Sequence, residues 1–263
     1  MPIGVSPRIP ILLYHRILAS EPDARADLDV SIQTFREDMR RLRERGWRCI
    51  DAAEAARLNL SGMRRPKTFA LTIDDGTRDF GDLAQPVLAD FGFTATVFVV
   101  TGRVGMRGDW LSGAPPALLD ADAIRDLARE GVNFGSHGVT HVPLTGRTDR
   151  DLARDLEESR AALSEITGKP VEAIAWPYGE HDARTRRAAA AAGYDLAFAV
   201  AGDGPLWRRA RAAVHPAARD PYAVPRREVH RSDPALRRRL RMGPLDGLFV
   251  TVRKVGLTSR GSS

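Results

Sequence analysis

The chain has 263 residues, 43% of them hydrophobic and 28% charged, enough to bury the core of one large α/β domain. Its single cysteine, Cys49, excludes an internal disulfide framework, and no apolar run approaches the roughly 18 residues of a membrane span. The formal charge of +6 is confined to the end: residues 237–263 hold seven Lys/Arg against one acid, Asp246, so the first 236 residues are neutral and offer no basic face for nucleic acid.

Strand and helix patterns alternate along the chain. Residues 9–14, an apolar run, predict a buried strand ending at His15. Ser31 is a predicted N-cap for a helix with Phe35, Met39 and Leu42 on one face, ending at Gly46. Residues 47–50 read as a short strand, followed by an Ala-rich helix, a stronger strand over 68–73 and a helix over 83–91 that Pro86 opens. The continuous run at 94–100 predicts a strand buried on both faces. Helices follow at 122–130, 149–166 and 181–192, with strands at 132–135, 171–176 and 194–200. This alternation predicts an α/β fold, a distorted (β/α) barrel with roughly seven parallel strands, an open doubly wound sheet being the alternative. The last 60 residues, rich in Pro and Arg, give no clear pattern.

The strand ends carry the chemistry. "TIDDG" puts Asp74 and Asp75 after one strand, "SHGVTH" puts His137 and His141 after another, and "WPYG" and "LLYH" end in Tyr178-Gly179 and His15. In a parallel barrel these ends share one rim. Taken alone, Asp-Asp-Gly is an ordinary turn and His-x-x-x-His an ordinary polar pair. Together they supply two imidazoles and a carboxylate, three ligands of a catalytic zinc-type site with one position left open, and a second carboxylate free to act as a base.

These motifs, in this order, resemble the polysaccharide deacetylase family with the fold of the nodulation chitooligosaccharide deacetylase, over residues 8–230. The resemblance implies Asp74 as catalytic base, Asp75, His137 and His141 as metal ligands, and the Tyr178 backbone N–H as an oxyanion donor. Two departures stand out. Gly138 replaces the Ser or Thr that often follows the first metal histidine, which would remove a supporting hydrogen bond. Ala175 replaces an Arg two residues before the motif's Pro. A branch of the family active on exopolysaccharides shares that loss and has a Pro-Arg motif instead; Pro225-Arg226 resembles it, implying that Arg226 orients Asp74. The same circularly permuted branch carries its Leu-x-His motif on the first strand, and Leu13-Tyr14-His15 implies His15 as general acid.

The sequence thus predicts a metal-dependent hydrolase, with Zn²⁺ the expected ion, that removes N-acetyl groups from an amino-sugar-containing glycan or glycoconjugate. The alternatives are a related barrel hydrolase acting on acetyl esters, formamides or a small nitrogenous metabolite, and, last, a non-catalytic carbohydrate-binding protein. Trp110 and Trp176 read as packing residues, with Trp176 also a candidate sugar-stacking face. His181 reads as solvated, and His215 and His230 as surface histidines, an approach of either to the rim being the lesser alternative. The short N-terminal apolar run, with Pro10 and no small-residue cleavage site, predicts a cytoplasmic protein. Residues 231–263 predict a basic C-terminal tail, in which Leu245, Leu248, Phe249, Val252 and Val255 beside Arg253 and Lys254 suggest peripheral contact with an anionic membrane.

Overall fold

The computed structural model describes residues 9–21, 27–111, 114–200 and 220–230. His215 and the basic tail lie outside these residues. In chain order the elements begin with β1 (Ile11–Tyr14), β2 (Ile17–Leu18), β3 (Val30–Ser31), α1 (Ile32–Glu44), β4 (Arg48–Ile50) and α2 (Ala52–Ser61). β5 (Thr68–Ile73), α3 (Gln85–Phe91), β6 (Thr96–Val99), α4 (Ala121–Arg129) and β7 (Asn133–Ser136) follow. α5 (Asp149–Thr167), β8 (Ala173–Ala175), α6 (Ala183–Ala191), β9 (Leu196–Val200) and β10 (Val224–Glu228) complete the described residues.

Seven parallel strands close a barrel in the order β1-β10-β9-β8-β7-β6-β5, and β5 returns to β1 through the register Ile11↔Ala70 to Tyr14↔Ile73. β4 pairs with the first half of β5, at Arg48↔Thr68, while β6 takes the second half at Thr72↔Thr96. The barrel predicted from the alternating pattern is therefore closed.

Residues alternate across the strands, as a two-residue period requires. Ile11, Ala70, Phe98, Ala173, Ala175, Leu196, Phe198 and Val224 form one buried cluster inside the barrel, joined by Ala52, Ala55, Ala56 and Leu58 of α2. The small alanines let α2 lie close beneath the strand starts, and Asp51 fixes it there by capping Glu54 N–H (3.0 Å) and accepting from Thr96 Oγ1 (3.2 Å). Leu12, Tyr14, Phe69, Leu71, Ile73, Val97, Val99, Ile174 and Ala197 face outward into a second core beneath the other helices. Each large apolar side chain so buried stabilises the fold by about 1.5–3 kcal/mol relative to exposure. With one end plugged, the opposite rim is free for chemistry.

Two elements differ from the sequence reading. Pro86 stands in the first turn of α3, but the helical run begins earlier than read, at Arg78, and reaches α3 through a wide π-type turn over Phe80–Ala84, which accommodates the proline that follows. β10 escaped the reading because its inward position is Arg226, flanked by Pro225; the buried-exposed-buried pattern of Val224, Pro225 and Arg226 is that of a strand, but its charge masks the hydrophobic signal.

Candidate active site at the strand ends

Backbone hydrogen bonds just beyond the strands level the rim. Asp74 N–H donates to Tyr14 O (3.1 Å), His137 N–H to Val99 O (2.8 Å), Trp176 N–H to Phe198 O (2.9 Å) and Val229 N–H to Leu13 O (2.9 Å). Four distant segments are thereby brought to one height, as the barrel predicts.

Asp75, His137 and His141 converge there, all buried, with one ligand atom from each lying within 4.8 Å of the others. His141 Nε2 is 3.1 Å and His137 Nε2 3.9 Å from Asp75 Oδ1. His137 Nδ1 lies 2.8 Å from the carbonyl of Ala175, which can only accept, so Nδ1 carries the proton and Nε2 keeps its lone pair. Burial holds the His137 imidazole down at about 4, in the neutral form that binds metal. Burial opposes ionisation of Asp75, but the hydrogen bond to His141 and the nearby His15 and His137 outweigh it, and its carboxyl stays far below the ordinary range. A carboxylate and two imidazoles, with no fourth protein ligand among the described residues, fit a divalent cation with an open position.

Asp74 lies beside this cluster, with its Oδ2 3.8 Å from His137 Nε2. Arg226 reaches up from inside the barrel, 0% exposed, and grips it with two parallel bonds: Nη1 to Oδ1 at 2.6 Å and Nη2 to Oδ2 at 2.7 Å. The guanidinium also donates to Thr72 Oγ1 (3.3 Å) and lies 5.1 Å from the Phe98 ring centre. Burial would neutralise Asp74; Arg226, then His137, overcome it and hold the carboxyl below its usual value.

His15 stands at the end of β1, with Nε2 3.9 Å from Glu228 Oε1 and a buried Nδ1 that has no hydrogen-bond partner among the described residues. Glu228 meets His230 Nε2 at 3.2 Å, and His230 Nδ1 lies 3.0 Å from Asp27 Oδ2. His230 therefore does approach the rim, through Glu228.

Tyr178 follows β8 with φ +58, its side chain exposed and its ring 4.8 Å from that of His141. Gly138 has a reason of its own: its φ is +78, and an added Cβ would lie 3.0 Å from Asp155 Oδ1. The support expected to be lost is supplied otherwise. Gly138 N–H donates to Ser136 Oγ (3.0 Å) and Val139 N–H to Asp155 Oδ1 (2.9 Å).

The packing reading holds for Trp176 and fails for Trp110. Trp176 is fully buried and donates to Tyr222 O at 3.1 Å, so it cannot face a sugar. Trp110 belongs to the site, donating to Asp75 Oδ1 at 2.9 Å and stacking on His141. His181 is half-buried, 6.1 Å from the Trp176 ring. The roles of Glu228 and Trp110 were missed because each depends on a partner at least 35 residues away in sequence.

Comparison with known proteins follows the same lines. Residues 61–197, just over half of the chain, match the polysaccharide deacetylase family. YxkH of Bacillus subtilis (strain 168), which bears a polysaccharide deacetylase name, is 26% identical over 191 residues, covering 72% of this chain and 63% of its own length. The chain thus spans less than two thirds of that relative. The structure of the Streptococcus pyogenes deacetylase PplD in complex with acetate shares the fold at TM-score 0.75 and 23% identity, covering 91% of this chain and all of that one. IcaB from Ammonifex degensii does so at TM-score 0.68 and 24% identity, covering 84% and 91% respectively. The matched segment carries the Asp74-Asp75 turn, both histidines and Tyr178, and with them the chain belongs to the polysaccharide deacetylase family.

Proposed function

We propose that this protein removes N-acetyl groups from an amino-sugar-containing glycan, using a divalent cation, Zn²⁺ by ligand chemistry, held by Asp75, His137 and His141. The observation that carries the reading is a buried carboxylate, Asp74, kept ionised by a bidentate Arg226 and touching the same His137 as the ligand cluster. A structural metal site has no use for such a group; a hydrolytic one needs it as a base.

The bound cation would supply Lewis acidity toward the acetyl carbonyl and acidify a water molecule. Asp74 takes the proton of the attacking water, and Arg226 keeps its carboxylate aligned. The Tyr178 backbone N–H stabilises the developing oxyanion. His15 donates a proton to the departing amine, a poor leaving group without it. Glu228, 3.9 Å from Nε2, sets an opposite charge beside the protonated ring. The products are acetate and a free amino sugar. The order of motifs, with Leu13-Tyr14-His15 ahead of Asp74, supports placement in the permuted, exopolysaccharide-associated branch.

The test is mass spectrometry of a panel of N-acetylated glycans after incubation with zinc-loaded protein, alongside acetyl ester and formamide substrates. Loss of 42 Da per residue from a glycan, on the order of one acetyl group, is the expected product. Asp74→Asn should keep stoichiometric zinc and lose turnover. Zinc-loaded wild-type protein that releases acetate only from esters would overturn the proposal, and an active Asp74→Asn would remove Asp74 as the base.

A further inference from the structure

The three ligands come from two segments, and something must hold those segments in register. Asp75 and His141 both have left-handed backbone, φ +70 and +55, which L-residues adopt only when surrounding structure imposes it. His137 is secured by its bond to Ala175 O, but His141 Nδ1 is buried and has no hydrogen-bond partner among the described residues. The usual device for orienting a ligand imidazole, a hydrogen bond to its second nitrogen, is therefore missing at His141.

The connection after β6 fills that gap. At its start, Thr101 N–H donates to Gly138 O and Gly102 N–H to Val139 O, both at 3.0 Å, so it holds the loop that carries the two histidines. Gly102 permits this approach, since a Cβ there would lie 2.6 Å from Val139 O. Further on, the connection doubles back on itself through Gly108 N–H to Pro116 O and Leu118 N–H to Met106 O, both at 2.9 Å. It then grips the aspartate turn through Leu119 N–H to Gly76 O and Arg78 N–H to Ala117 O, again at 2.9 Å. Trp110 lies within this doubled-back segment. Its Nε1 donates to Asp75 Oδ1 at 2.9 Å, and its ring stacks on His141 with centres 4.7 Å apart and planes inclined by 24°.

We propose that Trp110 is a positioning residue that joins the two ligand segments, its N–H aiming the Asp75 carboxylate and its ring face replacing the hydrogen bond that His141 lacks. This rests on the reading of Asp75, His137 and His141 as a metal site. Trp110 neither ligates nor reacts; it sets the affinity of the site by sparing the cation the cost of ordering two ligands.

The two functions of the indole separate by substitution. Trp110→Phe keeps a ring face and loses the N–H; Trp110→Leu loses both. Zinc dissociation constants, measured by competition with a chromophoric chelator on metal-free full-length protein, should rise about tenfold for Trp110→Phe and towards a hundredfold for Trp110→Leu. Tryptophan emission of the wild type should change as zinc is added, and that change should be absent from Trp110→Phe. The melting temperature of metal-free Trp110→Phe should stay within about 3 °C of wild type, a shift on the order of 1 kcal/mol for a chain of this size. Equal zinc affinity in all three proteins would overturn the proposal, as would a loss of affinity in Trp110→Phe that tracks a large fall in metal-free melting temperature. Wild-type protein that binds no zinc would instead overturn the metal reading itself, and this role with it.

Discussion

Arg226 offers the sharpest test of how the barrel serves its rim. Its guanidinium and the Asp74 carboxylate are 0% and 3% exposed as side chains, so neither can turn to water if the other is removed. Arg226→Met fills much of the same volume without the charge, leaving Asp74 buried with its main counter-charge gone. Breaking a buried pair from one side costs about 3–5 kcal/mol, or roughly 6–20 °C in melting temperature for a chain of this size. Adding Asp74→Asn should recover part of that loss, because the stranded charge is then gone. Arg226→Lys should not substitute, since an ammonium cannot reproduce two parallel bonds at 2.6 and 2.7 Å. The pH dependence follows from the direction of the shift. The folded state holds Asp74 below its ordinary value of 3.8, so the pair contributes fully above that value and the contribution is lost as pH falls through the lowered one. Denaturant titrations of five proteins in EDTA, at pH 7 and in acid, supply the comparison: wild type, Arg226→Met, Asp74→Asn, the double variant and Arg226→Lys. A loss below about 1 kcal/mol for Arg226→Met, within the range of an exposed pair, or strict additivity in the double variant, would refute the reasoning.

Two further outcomes are expected at the site. His15→Ala should slow hydrolysis of a sugar N-acetyl group on the order of a hundredfold or more and an activated phenyl acetate much less, with zinc content unchanged; equal losses on both substrates would remove His15 as the acid. Gly138→Ser introduces the side chain expected from the family resemblance, yet it should destabilise the fold by about 1–3 kcal/mol, because it places a Cβ at φ +78 and 3.0 Å from Asp155 Oδ1. A melting temperature at or above wild type would show that the loop yields there.

The sequence was most legible where apolar runs and strand ends coincide. β1, β5 and β6 are short, fully buried runs without a charged residue, and β5 spans the predicted 68–73. His15, Asp74, Asp75, His137 and Tyr178 each follow a strand readable by its burial pattern, which is why the rim emerged from sequence alone. A barrel was favoured over an open sheet on strand number alone; β10, the strand that completes it, was not legible, because its inward residue is an arginine neutralised by an aspartate 152 positions earlier. Motif resemblance, not periodicity, drew attention to Arg226. Trp110 and Trp176 show the same limit from the other side. Nothing local separates an indole buried under Tyr222 from one bonded to the Asp75 carboxylate; the distinction lies in partners 46 and 35 residues away.

The backbone gives a physical reason for that limit. Four non-glycine residues among those described have positive φ, and three of them, Asp75, His141 and Tyr178, surround the site; the fourth is Lys67. Each such residue costs about 1–3 kcal/mol, and together the three weigh heavily against a net stability of roughly 5–15 kcal/mol. Glycine would adopt these conformations without that cost, as Gly76, Gly138 and Gly179 do beside them. The positions hold a carboxylate, an imidazole and a phenol instead. Local preference is overruled at these three points by contacts made between distant segments: Trp110 to Asp75, His141 to Asp75, the stacking of Trp110 on the His141 ring and the tilted contact of the Tyr178 ring with it. A residue held against its own conformational preference by distant partners is invisible to propensity, and its strain marks where the fold has been shaped for chemistry rather than for stability.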